Sequence, residues 1–430
     1  MIKQVKSENL TIGMYVHHLD RPWFETSFLS HKFLIKSSKQ IEDLRKQCRH
    51  IFIDTEKGLD STPVKEIEKY EGIQEVQIRT ARADKEKEKT SVPNGDNLRK
   101  ALEVYNQAKE TVSSIFKDIR LGKSLQADGA QKTVNAIIES VIEDKDALLC
   151  LLKMKTQDEY TVKHSINVSI ISLAFGRDLE LGENDLQILG LGTLMHDIGK
   201  ARIPLEILNK PGRLTDSEFE IMKHHVLLGK NMLEEMGHFH PQAMQLVLEH
   251  HERKNGRGYP VGLKEDEISL FGRITAIVDV YDAITSQRVY QGPVSPNEAI
   301  KRIFEWSAQD FDQSLVERFI KSIGIYPAGS LVEINQSDIG MVLATNQENT
   351  LRPFVLVIMD SNKQKYRPPR IINLTDRMEN YNNYIWSVTK LLGPLKEEYL
   401  SEILESTPEK NPLLMEGVKQ NEMAPCSISQ

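Results

Sequence analysis

From Leu98 onward the apolar residues Leu102, Tyr105, Ala108, Val112, Phe116 and Ile119 recur at every third or fourth position, a period that predicts one face of a long amphipathic helix. The pattern between about residues 130 and 325 predicts helix after helix, with breaks at Gly182, Pro204, Pro211-Gly212, Gly256 to Pro260 and Pro293. An all-α bundle follows. The two ends differ. Before residue 80, MYVHHL, KFLIKS and HIFIDT read as short strands and IEDLRKQC as one helix, a small α+β module. Beyond Ile325 the runs SLVEI, IGMVLAT, PFVLVIMD and RIINL are short, β-rich and bounded by Gly, Asn, Asp and Pro. A final helix is expected around Tyr384 to Leu404, and a disordered polar tail after it.

The stretch ARADKEKEKTSVPNGDN is densely charged and nearly free of apolar residues, as linkers are. The expected organisation is thus mainly α and multidomain: an α+β domain (1–80), a charged linker (81–97), a connecting helix (98–129), the bundle (130–335), a β-rich appendage with its final helix (336–405) and a tail (406–430).

Composition narrows the function. A chain of 430 residues with 40% hydrophobic content can bury more than one core. No run of eighteen apolar residues is present and the first residues lack an apolar signal region, so a cytoplasmic protein with no membrane partner is expected. Cys48, Cys150 and Cys426 are too dispersed for a disulfide framework or a thiolate metal site. A net charge of −7 speaks against a DNA or RNA polymer as partner. An anion could still bind at a locally positive, metal-bearing pocket.

The candidate chemistry lies in histidine. Eight of the twelve histidines fall between His164 and His251, and the run HHERKNGRGYP joins two of them to a stiff Gly-Tyr-Pro turn. His164 shares a predicted helix face with Asn167, Val168 and Ile171. Thr215 and Glu218 form a capping pattern ahead of a face through Met222, His225, Gly229 and Met232, which favours His225 over His224. Gly229 would also let a neighbouring element approach closely. Pro241 suits a first helical position, and the face through Ala243, Leu246 and Val247 ends at His250 and His251. Asp279 lies between Gly272, Ala276 and Ala283, which leave room around it.

A lone buried histidine is ordinarily a hydrogen-bonded core residue, and His238, His240, His17, His18, His31 and His50 are read that way or as solvated. Several imidazoles and two carboxylates turned inward together would be costly to bury unpaired, and a metal removes that cost. Imidazole and carboxylate suit first-row metals. Two cations bridged by a carboxylate can deprotonate a shared water and stabilise both oxygens of an in-line displacement at phosphorus, so phosphoester hydrolysis is the expected reaction. Asp197 is the expected bridge. Lys200 is the expected neutraliser of a substrate phosphate, with a solvated surface lysine as the alternative.

The motifs HD-x-GK (His196, Asp197, Gly199, Lys200), HHExxxGxGYP (His250 to Pro260) and DxYDA (Asp279 to Ala283) occur in this order, and over about residues 130 to 335 the chain resembles the HD-GYP family, metal-dependent phosphodiesterases of the HD superfamily that hydrolyse cyclic di-GMP. The resemblance implies His164, His196, Asp197 and Asp279 as ligands of one ion, and Asp197, His225, His250 and His251 as ligands of a second. Iron or manganese would be the metals, with zinc, nickel and magnesium as alternatives. It further implies substrate contacts by Lys200 and Arg288 and a pocket wall made by Gly258, Tyr259 and Pro260, a turn that the family links to diguanylate cyclase (GGDEF) domains. A plain helix-ending turn is the alternative for that loop.

Two departures stand out. Tyr160 occupies the place of the glutamate found in members with three metals, so two ions are expected. The family's Arg-Pro-Tyr-Lys run is here Arg288-Val289-Tyr290-Gln291, which loses a lysine contact and opens 3'3'-cyclic GMP-AMP as a substrate beside or instead of cyclic di-GMP. Products would be a linear dinucleotide of the pGpG type and, after a second cut, mononucleotide. The N-terminal segment NLTIGMYVHHLDRPW resembles an uncharacterised domain fused ahead of HD-GYP domains, for which input or homodimerisation is a hypothesis. A catalytically weak cyclic-dinucleotide receptor or cyclase-binding module is the competing reading, and an HD-type nucleotidase the third.

Overall fold

A computed structural model of the chain describes residues 2–21, 23, 26, 28, 32–59, 92–93, 95–123, 127–152, 160–235, 237, 239–286, 294–335, 337–346, 349–362, 364–376 and 385–394. Arg288, Gln291, most of the expected linker and the expected tail therefore lie outside the described residues. The chain divides into two units, residues 1–91 and 92–430.

In the first unit, strands β1 (Ile2–Lys6), β2 (Tyr15–Leu19), β3 (Phe33–Leu34) and β4 (His50–Asp54) form an antiparallel sheet in the order β1-β4-β2-β3. Alternation decides its inner face, on which Val16, Ile51 and Ile53 are fully buried. Helix α1 (Ser38–Gln47) starts with a reciprocal capping box between Ser37 and Gln40. β1 was not expected from the sequence, because IKQVK buries only Val5.

The second unit opens with α2 (Gly95–Arg120), which buries Leu98, Ala101, Tyr105, Ala108, Val112, Phe116 and Ile119 along one stripe. It begins three residues before the predicted start and ends nine before the expected boundary at 129. Helix α3 (Ala127–Leu152) breaks at Asp144, whose backbone is extended (φ −159°, ψ 94°). Asp144 Oδ1 accepts from the Ala147 amide at 3.1 Å and Oδ2 from Asn97 Nδ2 at 2.9 Å, so the residue caps a fresh helical segment.

Then come α4 (Tyr160–Asp178), α5 (Glu183–Met195), a 3-10 turn (Ile198–Arg202), α6 (Leu205–Leu208), α7 (Asp216–Lys223), α8 (His225–Glu235), α9 (Pro241–Glu249), α10 (Leu270–Thr285), α11 (Pro296–Trp306) and α12 (Gln313–Ile323). Every residue of α4 from His164 to Gly176 is buried, so this helix runs through the middle of the bundle and has no solvent face to discriminate. The helix expected to carry His225 is divided by His224 into α7 and α8, and Lys200 sits in the 3-10 turn.

Strands β5 (Ser330–Ile334), β6 (Asp338–Ala344), β7 (Phe354–Met359), β8 (Lys365–Asn373) and β9 (Val388–Pro394) close the described chain as an antiparallel sheet ordered β8-β7-β6-β5-β9. Val332, Ile334, Val342, Val355 and Val357 form its core. Two expectations are corrected here. The β-rich part starts at Ser330, not at residue 336, and within the predicted final helix the stretch Val388–Pro394 is a strand paired with β5, while the rest of that prediction beyond residue 394 lies outside the described residues. Val388 and Thr389 are β-branched, Val388 and Leu391 pack on the sheet core, and Pro394 falls at a strand end. No helix among the described residues is long and apolar enough to cross a membrane.

Candidate metal centre

Five elements converge on one buried cluster. α4 brings His164, the end of α5 brings His196 and Asp197, α8 begins with His225, α9 ends at His250 and His251, and α10 brings Asp279. His164, His196, Asp197, His225, His250 and Asp279 are all buried, and His251 is half-buried. His224, by contrast, is exposed.

The carboxylate of Asp197 divides the cluster. Its Oδ2 lies 3.6 Å from His164 Nε2 and 3.3 Å from His196 Nε2, while its Oδ1 lies 3.4 Å from His225 Nε2 and 3.9 Å from His250 Nε2. Asp279 spans the cluster in the same way, with Oδ1 2.9 Å from His164 Nε2 and Oδ2 3.7 Å from His251 Nδ1. Two groups have ligand atoms mutually within 4.8 Å, His164, His196, Asp197 and Asp197, His225, His250, His251. Asp197 is common to both.

Three imidazoles are aimed by the same local device. The Nδ1 of His196 meets the Thr193 carbonyl, that of His225 the Met222 carbonyl and that of His250 the Val247 carbonyl, each at 2.7 Å and each three residues back. A carbonyl can only accept, so Nδ1 carries the hydrogen and Nε2 presents its lone pair inward. These carbonyls lie in last helical turns, where the intrahelical ladder runs out of donors. His164 is held instead by carboxylates, with Nδ1 2.7 Å from Asp282 Oδ2.

Close backbone approach makes this possible. A Cβ on Gly199 would lie 1.9 Å from the His225 carbonyl oxygen and 2.5 Å from the Gly229 amide, so the 3-10 turn can press against α8 only without a side chain. Gly229 is the close-approach position expected from the sequence, and its neighbour is Gly199.

The electrostatics suit cations. Burial pushes the Asp197 carboxyl up, but Lys200, His196 and His225 outweigh it and hold it well below the carboxylate range. Burial, aided by Lys200, brings His225 down to about 4, and burial also lowers His250 and His251 far below the usual imidazole value. His164 is the exception: burial lowers it, yet Asp279 and Asp282 raise it to about 9. His196 Nε2 and Asp197 Oδ1 are buried atoms with no hydrogen-bond partner. Orphaned donors and acceptors of this kind are what a nitrogen- and oxygen-seeking cation satisfies, so the donor set is compatible with metal binding.

Lys200 Nζ lies 2.5 Å from Asp197 Oδ2, with 19% of its side chain exposed. Tyr259 packs on His251, with ring centroids 4.6 Å apart. The loop that carries it is anchored by Glu252, a buried residue for which the sequence suggested no role. Its carboxylate accepts from the amides of Val261, Gly262 and Leu263 at 2.8 to 3.1 Å. Gly258 leaves space for that chain path, since a Cβ there would fall 2.4 Å from the Arg253 amide. Asp282 was likewise unassigned, although its place three residues after Asp279 puts it on the same helix face.

Residues 138–315 match the HD domain family, residues 2–130 a domain of unknown function, and residues 331–390 a KOW domain associated with the HD domain. Over 388 residues the chain is 34% identical to a cyclic di-GMP phosphodiesterase of Pseudomonas aeruginosa, a span covering 89% of this chain and 92% of that one. The chain belongs to the HD-GYP family. Another relative is a 3'3'-cGAMP-specific phosphodiesterase of Vibrio cholerae, 35% identical over 142 residues, which are 33% of this chain and 27% of that one. An HD-GYP-type protein from Bdellovibrio bacteriovorus of known structure is similar with a TM-score of 0.41 and 16% identity, covering 74% of this chain and 98% of that one.

Proposed function

We propose that this chain is a metal-dependent phosphodiesterase of cyclic dinucleotides that opens cyclic di-GMP to the linear dinucleotide. The observation that carries this reading is Asp197, a buried carboxylate whose two oxygens face two separate sets of imidazole nitrogens. The proposed ligands are His164, His196, Asp197 and Asp279 for one ion and Asp197, His225, His250 and His251 for the other, with iron or manganese in both places. Such ions, when bound, supply the charge that activates water and stabilises the attacking and leaving oxygens at phosphorus.

The protein's own groups have separate tasks. The carbonyl bonds of His196, His225 and His250 fix the Nδ1–H tautomer and the ring direction, so that Nε2 is the atom aimed at a cation. Lys200, whose ammonium lies beside Asp197 and is partly exposed, is assigned to a substrate phosphate. Gly258, Tyr259 and Pro260 form the proposed wall, held by Glu252. We assign Arg288 to the substrate as well. The loss of a lysine at Gln291 supports 3'3'-cyclic GMP-AMP as an additional substrate. Val261, 70% exposed beside the turn, suits contact with a GGDEF domain, and a homodimer is the proposed assembly.

The test is direct. Manganese-loaded protein incubated with cyclic di-GMP, 3'3'-cyclic GMP-AMP and mononucleotides should yield linear dinucleotide from the cyclic substrates, resolved by chromatography. Tight binding without turnover would favour a receptor, and turnover of mononucleotides alone a nucleotidase.

A further inference from the structure

Helix α7 (Asp216–Lys223) has no buried residue, although it carries Phe219 and Ile221, which are 46% and 40% exposed. An amphipathic helix ordinarily stays in place by burying its apolar stripe. This one is fixed by polar groups at its start. Thr215 and Glu218 form a reciprocal capping box, and Lys210 Nζ lies 2.5 and 2.8 Å from the two Glu218 oxygens. The apolar side chains are therefore left available, and the helix ends two residues before His225, at the edge of the metal centre.

What faces that edge is specific. The Phe219 ring stands edge-on to Tyr259 (centroids 6.2 Å apart, 84° between planes), and Tyr259 packs directly on His251. Lys223 Nζ lies 5.5 Å from the Phe219 centroid and 5.7 Å from that of Tyr259, so the cation sits by both rings. It also pairs with Glu220 Oε1 at 2.6 Å, a carboxylate 67% exposed, and such solvated pairs exchange readily for a stronger anion. An exposed aromatic face next to a cation, one ring removed from a candidate metal ligand, matches a substrate that alternates bases and phosphates. Aromatic faces hold nucleobases by stacking whatever the base.

We propose that α7 is the outer wall of the substrate site, with Phe219 stacking on the nucleobase farther from the metal centre and Lys223 contacting the phosphate that is not being cut. This rests on the cyclic dinucleotide reading given above. It assigns α7 the grip on the half of the ligand that does not react, so its removal weakens binding more than chemistry.

Steady-state kinetics of the full-length, manganese-loaded protein on cyclic di-GMP test it. Phe219→Ala is expected to raise KM about tenfold with kcat changed far less, and Phe219→Trp to restore KM. Lys223→Ala should raise KM and flatten its dependence on salt, and Lys223→Arg should retain both. An unchanged KM in both alanine variants, with the wild type active, would overturn the assignment of α7 alone. A wild type that turns over no cyclic dinucleotide would instead overturn the functional reading beneath it. Phe219 and Lys223 are not core residues, so a thermal midpoint equal to wild type should accompany each variant; a large drop would mark a structural role and count against the proposal.

Discussion

The Nδ1 of His164 lies 2.7 Å from Oδ2 of Asp282, and the other Asp282 oxygen accepts from Asn167 Nδ2 at 2.9 Å and Ser286 Oγ at 3.1 Å. Asp282 thus sets the plane of the His164 ring without being placed to touch an ion itself. Asp282→Asn should weaken metal binding by roughly 10- to 100-fold while leaving secondary structure intact. Metal content after dialysis against graded chelator is the measurement, and full retention would remove Asp282 from the positioning role.

Metal uptake should release a proton from one side of the centre only. His164, raised to about 9, holds two hydrogens at neutral pH when no ion is bound, whereas His225, at about 4, does not. Below pH 9 an ion must displace the His164 proton, so affinity at that side should climb about tenfold per pH unit up to that value. The His225 side should be flat from pH 6 upward. Calorimetry at pH 7 in buffers of different ionisation enthalpy should record about one proton released for the pair of ions.

Glu252→Ala would strand the amides of Val261, Gly262 and Leu263 and leave a hole beside them. A loss of about 1–2 kcal/mol is expected, since the three amides are only partly buried and water recovers much of the roughly 1–3 kcal/mol that an orphaned buried donor costs. Limited proteolysis should now cut near Val261. Denaturant titration gives the stability change, and an unaltered midpoint would mean the loop does not depend on this carboxylate.

Gly199→Ala cannot be accommodated without moving α8, because the new methyl would overlap the His225 carbonyl and the Gly229 amide. Overpacking of this sort costs about 1–3 kcal/mol. The shift falls on the element that begins with His225, so the Asp197–His225 side should lose metal first. Competition with a chromogenic chelator would reveal whether one ion or both are weakened.

Asp146 is buried, has an Oδ1 without a partner, and is raised to about 7, chiefly by burial and against the pull of Lys145. A folded value above the unfolded one means stability is full below about pH 4 and declines as pH rises toward 7. Asp146→Asn should therefore stabilise the protein by an amount that grows over that window and levels off above it, reaching on the order of 1–4 kcal/mol. Thermal midpoints at pH 4, 6 and 8 check the trend; a constant difference would contradict it.

The sequence was most legible where period and chemistry coincide. Leu98 to Ile119 announced α2, and the pairs His196-Asp197 and His250-His251 announced a site that the fold assembles from five elements. Helix faces were less informative. His164 stood out by its stripe, yet α4 is buried all round, so burial there follows from the helix's central place rather than from its pattern. The split at His224 was hidden because α7 and α8 keep one continuous apolar spacing across the break. Val388–Pro394 was mistaken for helix because a Leu-rich segment carries no clear period of its own, and its pairing with β5, some sixty residues earlier, decides its form. Glu252 and Asp282 escaped notice for another reason: each acts on a backbone or a ring, and the spacing of ligands does not record that.

The bonds from His196, His225 and His250 to the carbonyl three residues back have a consequence for how such a centre arises. Each is closed within one turn of chain, so the correct tautomer is chosen as soon as a helix stops, before any distant partner arrives. A histidine at a helix terminus is then a portable cassette. A designer who places histidine just after the last turn of helices in an unrelated bundle, as at His196 and His250, or just after a helix break, as at His225, and points them at one aspartate inherits correctly oriented donors without building a hydrogen-bond network around them.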